Sequence, residues 1–266
     1  MHTDRTLSLA AGVVQEFPPE RAVYAAHSAG FNAVGIWCDA SVWSAVTTRE
    51  VRNALADTGL IALDLEVVWL QPGEPPDKHD RVVDLALEIG ARNLLCVSME
   101  PQPLLSMRRF ERLCRRSEQG ELRIALEFLA LSEIRSLQEA LAVVEGVGHP
   151  AGAVLVDNLH LARSGGSPGD LRAVDPGLLS YLQLCDASLE PPGDSVEELM
   201  EDALHQRQLP GEGELPLREV LAAVDPELPL SLEIRSRALC TRFAEDIDGR
   251  AARVYAATQQ FLQTTP

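Results

Sequence analysis

The chain has 266 residues, 46% of them apolar, which is enough to bury one sizeable core and suits a single barrel-sized domain better than two small ones. Its 23 basic and 40 acidic residues give a formal charge of −17, which argues against a surface built to neutralise nucleic-acid phosphates. No run of about 18 apolar residues occurs, so no membrane span is expected. The first residues lack the apolar stretch of a signal peptide. The five cysteines have no CxxC spacing, and they read as small core side chains in a reducing cytoplasm.

Residues 7–9 form a short apolar run and predict a first strand. Pro18-Pro19-Glu20 then opens a helix that Gly30 closes. Residues 33–37 predict a second strand, followed by a helix with a capping box of Thr47 and Glu50 that ends near Gly59. A third strand over 61–68 leads to a helix over 77–89, closed by Gly90, and a fourth strand covers 94–97. The Arg-rich segment 108–116 has helical spacing with Glu111 and Glu118 nearby, and reads as a solvated helix face. A fifth strand at 124–128 precedes a helix from Ser132 to about Glu145, and a sixth follows at 153–156. Ser167, Pro168 and Asp170 start a short helix before the seventh strand at 181–185. Residues 187–229 form a long connection. It contains a helix capped by Ser195 and Glu198 that runs to about Arg207, and then Pro210-Gly211-Glu212-Gly213. The eighth strand, 230–234, and a closing helix over 254–262 complete the chain.

Near-continuous apolar strands that alternate with helices predict a buried parallel sheet. Eight such units predict a closed (β/α)8 TIM barrel of the α/β class, a single domain over 1–266. A doubly wound open sheet is the competitor, but it gives no reason for eight near-equal units, and no GxGxxG follows the first strand. The connection 187–229 follows a strand, so it lies over the C-terminal face, where barrel active sites sit.

Three acids fall at strand ends: Glu127 after Ile-Ala-Leu, Asp157 after Val-Leu-Val and Glu233 after Leu-Ser-Leu. Buried carboxylates that converge on one mouth repel each other unless a cation separates them or each finds an arginine. Arg123, Arg163 and Arg235 are the nearby arginines in sequence. His160 lies three residues after Asp157, and Gln183 sits within the seventh strand with Asp186 just beyond it. A buried amide needs partners, so Gln183 is either a ligand through its carbonyl oxygen or part of a core network. Glu66 and Glu100 also stand near strand ends, as do Trp37 and Trp69. Glu66 could bind a substrate hydroxyl or pair with a neighbouring arginine, and a tryptophan wall suits the C–H face of a polyol.

The segments IALEFL, AVLVDNLHLARSGG, YLQLCDA, RQLPGEGELPL and LSLEI resemble, in order and spacing, the xylose isomerase-like barrels of the sugar phosphate isomerase/epimerase group. AGFNAVGIW and LDLEVVWL resemble that group's second and third strands. The resemblance covers essentially the whole chain. It implies a divalent metal held by Glu127, Asp157, Gln183 and Glu233, with His160 and Arg207 contacting substrate and Glu66 and Trp37 lining the mouth. Many members carry His where this chain has Gln183. Three carboxylates and an amide favour Mn2+ or Mg2+ over Co2+ or Zn2+. Metal-dependent DNA endonucleases share the superfamily, but they need several metals and many histidines, and only six His are present.

The implied activity is isomerisation or epimerisation of a small sugar, sugar phosphate or polyhydroxy ketone, with Glu127 and Glu233 moving a proton next to a carbonyl. Loss of hydroxide from the same enediolate gives a dehydratase instead, as is thought of the dehydroshikimate dehydratases in this group. The alternative from another class is a barrel without metal that is inactive or depends on a partner, prompted by Gln183 at the usual His position. The expected partner is a small polyhydroxylated substrate, not nucleic acid or membrane. The assembly is left open between a monomer and a homodimer.

Overall fold

Alternation explains why each strand reads as an unbroken apolar run. In the computed structural model, which describes residues 5–264, Val34, Ile36, Leu126, Val154 and Leu182 pack outward under the helices. Ala33, Leu63, Leu95, Ala125, Leu155 and Tyr181 fill the inside of a cylinder. Both faces of every strand are therefore buried, as a parallel barrel requires. The strands are β1 (Leu7–Leu9), β2 (Ala33–Trp37), β3 (Ile61–Leu70), β4 (Asn93–Ser98), β5 (Arg123–Glu127), β6 (Gly152–Asp157), β7 (Leu179–Leu184) and β8 (Leu230–Leu232). They pair in sequence order, and β1 against β8 closes the ring with Leu7 opposite Leu230 and Leu9 opposite Leu232. The domain is thus a closed (β/α)8 barrel.

The helices are α1 (Pro19–Ala29), α2 (Ala45–Thr58), α3 (Asp80–Ile89), α4 (Pro103–Ser117), α5 (Leu137–Val147), α6 (Asn158–Arg163), α7 (Pro168–Leu171), α8 (Val196–His205), α9 (Leu217–Leu221), α10 (Arg237–Arg242) and α11 (Ile247–Gln263). Gly30 ends α1 with φ at 103°, a left-handed conformation that suits a residue without Cβ. Three helix starts differ from the sequence expectation. The box on α2 is Ser44 with Thr47, whose hydroxyl accepts from the Ser44 backbone; Thr47 therefore lies inside the helix and does not cap it with Glu50. Ser136, not Ser132, caps α5, because Ser132 donates its hydroxyl to the carbonyls of Leu129 and Ile134 in the preceding loop. The closing helix starts at Ile247 behind an Asp246 cap, well before residue 254. The boxes at Ser167–Asp170 and Ser195–Glu198 form as expected. The 187–229 connection carries α8 and α9.

One irregularity shapes the site. β2 and β3 run in register as far as Val34 opposite Ala62, and then Gly35 faces Asp64, which leaves Leu63 as an extra residue. That shift turns Asp64 inward beside Leu63. A Cβ on Gly35 would lie 2.7 Å from Asp64 Oδ1 and 2.8 Å from the Ala11 nitrogen, so only glycine fits there.

Candidate active site and metal centre

The mouth is built from neighbouring strand ends. Glu127 is the last residue of β5, Asp157 the last of β6, Gln183 lies in β7 opposite Asp157, and Glu233 follows β8. Glu127 and Glu233 are 6% exposed, and Asp157 and Gln183 are fully buried. With its NH2 turned toward the carboxylates, the Gln183 amide lies 3.0 Å from Glu127 Oε1 and 3.2 Å from Glu233 Oε2. The four groups expected to converge do converge.

Asp157 is the most constrained of them. Its Oδ1 accepts from the backbone nitrogens of Leu159 at 2.7 Å and His160 at 3.3 Å, which caps α6. Its Oδ2 accepts from Arg207 Nη1 at 2.5 Å, and the same nitrogen lies 3.2 Å from Glu233 Oε2. Arg207 is itself buried and also donates Nε to the Ala203 carbonyl at 2.7 Å. None of the arginines close in sequence ion-pairs with these acids. Arg123 donates to the carbonyls of Gly152, Gly177 and Leu179, Arg163 pairs with Asp202, and Arg235 donates to Gln15. Arg207 arrives from the end of α8 and serves Asp157 and Glu233 together. Among the described residues Glu127 has no ion pair within 4 Å.

These placements set the charges. Burial, followed by the nearby charges of Glu233 and Asp157, pushes Glu127 well above the usual carboxyl range. Burial also raises Glu233, to about 7, with Arg207 pulling the other way. Burial is the largest single influence on Asp157 and pushes it up, but the Arg207 charge and the hydrogen bonds around the carboxylate together outweigh it and hold it at about 2. His160 is lowered to about 4, chiefly by burial, and is a neutral imidazole at pH 7. One ring nitrogen of His160 and one oxygen each of Glu127 and Asp157 lie within 4.8 Å of one another. His160 thus joins the group that could hold a metal, nearer to it than the sequence suggested.

The donor set suits an oxygen-preferring divalent ion. Turned the other way, the Gln183 amide presents its carbonyl oxygen to two carboxylate oxygens at 3.0 and 3.2 Å, an arrangement that ionised carboxylates need a cation between them to support. An octahedron with metal–oxygen bonds of about 2.1 Å has edges of about 3 Å.

The other expected residues fall in several places. Glu66, 3% exposed, turns into the barrel from β3, and Trp37 ends β2 opposite it, half-buried. Trp69 is exposed at the rim. Glu100 lies 3.7 Å from Arg109 and caps the Gln102 nitrogen, so it belongs to the α4 entrance. Asp186 anchors the long connection by accepting from the nitrogens of Gly211 and Leu215. Sequence reasoning passed over Asp64 and Tyr181. The available signal was a second acid inside the buried run Ile-Ala-Leu-Asp-Leu-Glu. Gly12, after β1, closes the mouth tightly, since a Cβ there would sit 3.0 Å from Glu233 Oε1.

The sequence profile of the xylose isomerase-like TIM barrel family matches residues 23–264. The 3-dehydroshikimate dehydratase of Pseudomonas putida is 28% identical over 260 residues, an alignment that covers 89% of this chain and 39% of that protein. The chain therefore spans well under half the length of that relative. A solved IolI protein with a bound zinc atom superposes with a TM-score of 0.81 at 13% identity, covering 98% of this chain and 99% of the other. The D-psicose 3-epimerase of Clostridium cellulolyticum H10, solved with D-tagatose, gives 0.74 at 14% identity, with 98% and 99% covered. At such identities the superpositions show a shared fold alone.

Proposed function

The chain belongs to the xylose isomerase-like TIM barrels, and from that premise we propose that it is an enzyme that removes a proton next to the carbonyl of a small polyhydroxylated compound. The observation that carries this proposal is the pair Glu127 and Glu233. Both are buried, both are held toward the protonated form near neutrality, and both touch one Gln183 amide. General acid–base catalysis works best with groups that titrate near the working pH; burial raises Glu233 to about 7 and pushes Glu127 upward as well.

A divalent ion held by Glu127, Asp157, Gln183 and Glu233, with His160 alongside, would supply a Lewis acid for the negative charge that develops on the substrate oxygens. The oxygen-rich donor set favours Mn2+ or Mg2+. One of Glu127 and Glu233 takes the substrate proton and the other returns one. Neutral His160 offers a hydrogen bond to a substrate oxygen. Arg207 keeps Asp157 ionised and limits the rise of Glu233.

Among the outcomes open to an enediolate, we place first the loss of water from a cyclic hydroxyketone of the dehydroshikimate kind. The 28% identity to the Pseudomonas putida dehydratase extends over 89% of this chain, whereas the epimerase match stands at 14% identity. The second reading is isomerisation or epimerisation of a sugar or sugar phosphate. It is favoured by two proton-binding carboxyls at one mouth, as a two-base exchange needs.

The test incubates Mn2+-loaded protein in D2O with 3-dehydroshikimate and, separately, with ketoses and inososes. Ultraviolet absorbance follows an aromatic product, and NMR follows exchange of the proton next to the carbonyl. Aromatisation of 3-dehydroshikimate that Glu233→Gln abolishes is the expected result. Exchange or epimerisation of a ketose alone would select the second reading, and no exchange in any compound would contradict both.

A further inference from the structure

Besides the four groups at the mouth there is a second acid pair, Asp64 and Glu66, to which the proton transfer proposed above assigns no role. Asp64 and Glu66 both turn inward from β3 and are close enough for each to act on the other's proton affinity, and two buried carboxyls so placed hold a proton between them rather than two negative charges. Across the barrel, Tyr181 on β7 donates its hydroxyl to Asp64 Oδ2 at 2.8 Å. Asp64 is fully buried and Glu66 is 3% exposed, and each keeps one oxygen, Asp64 Oδ1 and Glu66 Oε1, without a protein partner.

The bond from Tyr181 decides where the proton sits. Asp64 accepts from a phenol, and so is the better place for negative charge. Glu66 is left as the donor. Burial pushes it well above its ordinary range, the neighbouring charges of Asp64 and Glu233 push the same way, and only Arg235 pulls it down. Asp64 itself is raised to about 6 by burial, an effect that Tyr181 and Glu66 hold in check. Of the two, Glu66 stands one inward position nearer the C-terminal ends of the strands, and feels the charge of Glu233 at the mouth.

We propose that Glu66 is a neutral carboxylic acid that protonates the hydroxyl leaving the substrate, with Asp64, fixed by Tyr181, as the residue that positions that proton. This rests on the dehydration reading. The base at the mouth takes the C–H proton, and the electrons of that bond become the new double bond. The C–O bond breaks toward oxygen, which takes the proton of Glu66 and departs as water. The Glu66 carboxylate then regains a proton from solvent while the base returns its own, so substrate becomes product plus water.

Two measurements test it. In an infrared difference spectrum of Mn2+-loaded protein at neutral pH, wild type minus Glu66→Gln should show the carbonyl stretch of an un-ionised carboxylic acid, moved by D2O. No such band would overturn the assignment whatever the substrate. With 3-dehydroshikimate in D2O, Glu66→Gln should still exchange the substrate C–H proton while dehydrating about 100-fold more slowly, within the usual range for a lost general acid. Dehydration within about threefold of wild type, or exchange and dehydration lost equally, would overturn it. Asp64→Asn should shift the band and lower kcat about tenfold with KM little changed, because it disturbs the aim of the proton and not the binding of substrate. If wild type neither exchanges nor dehydrates this compound, the proposed reaction fails, and the infrared band alone still decides the state of Glu66.

Discussion

The two ends of the barrel use the same residue types in opposite ways. At the N-terminal end several long polar side chains turn to the backbone. Arg123 donates to three carbonyls at the starts of β6 and β7, Arg5 donates to the carbonyls of Asp225 and Pro226, and Asn93 donates to the Leu63 carbonyl. At the C-terminal end the polar groups face one another. Gln183 meets Glu127 and Glu233, Arg207 meets Asp157 and Glu233, and Asp64 meets Glu66. Satisfied groups at one end add stability. Groups at the other end keep raised or lowered proton affinities, which cost stability and make chemistry available.

Mutations should separate the ends. Glu233→Gln should lower turnover by roughly 10²–10⁴, with a melting temperature close to that of wild type, because it removes a proton carrier and no packing. Activity at the wild-type level would remove Glu233 from the proton-transfer role. Arg207→Met strips the countercharge from a fully buried Asp157, so in chelator-treated protein urea denaturation should show a loss of about 3–5 kcal/mol. Mn2+ should restore part of it by supplying the missing positive charge; a loss that the metal does not touch would mean that Arg207 only packs.

At the other end, Arg123→Ala should cost about 1–3 kcal/mol through unsatisfied carbonyls and leave turnover within about twofold. A large fall in turnover would break the division between the ends. The smallest effect concerns pH. Asp64 titrates at about 6 in the folded chain against roughly 3.9 when unfolded, so the folded state holds the proton longer. The stabilisation is complete below the unfolded value and fades as pH rises through about 6. Metal-free protein should therefore melt at lower temperature as pH goes from about 5 to 8, and Asp64→Asn should remove on the order of 1 kcal/mol of that decline. An unchanged slope would place the titration elsewhere.

The barrel was legible in the sequence because burial on both faces leaves long apolar runs. The acids at the strand ends stood out because each interrupts such a run. Local capping was harder to read, since Ser44 and Thr47, or Ser132 and Ser136, offer similar hydroxyls a turn apart and only the backbone path selects one. Long-range pairing was not legible. Arg207 lies 50 residues from Asp157 and reaches it by way of α8, while arginines adjacent in sequence point to carbonyls elsewhere. Tyr181 and Asp64 are 117 residues apart and meet because the ring places β7 across from β3. A strand-register shift turned Asp64 inward, and no periodicity predicts that.

The most direct test of the metal centre is a titration of Mn2+ into chelator-treated protein, followed by electron paramagnetic resonance of the free ion. Wild type should bind one equivalent, Glu127→Ala and Glu233→Ala should lose it, and Gln183→His should retain it. An absence of binding by wild type, or binding unaffected by loss of Glu127 and Glu233, would contradict a divalent ion held at this mouth.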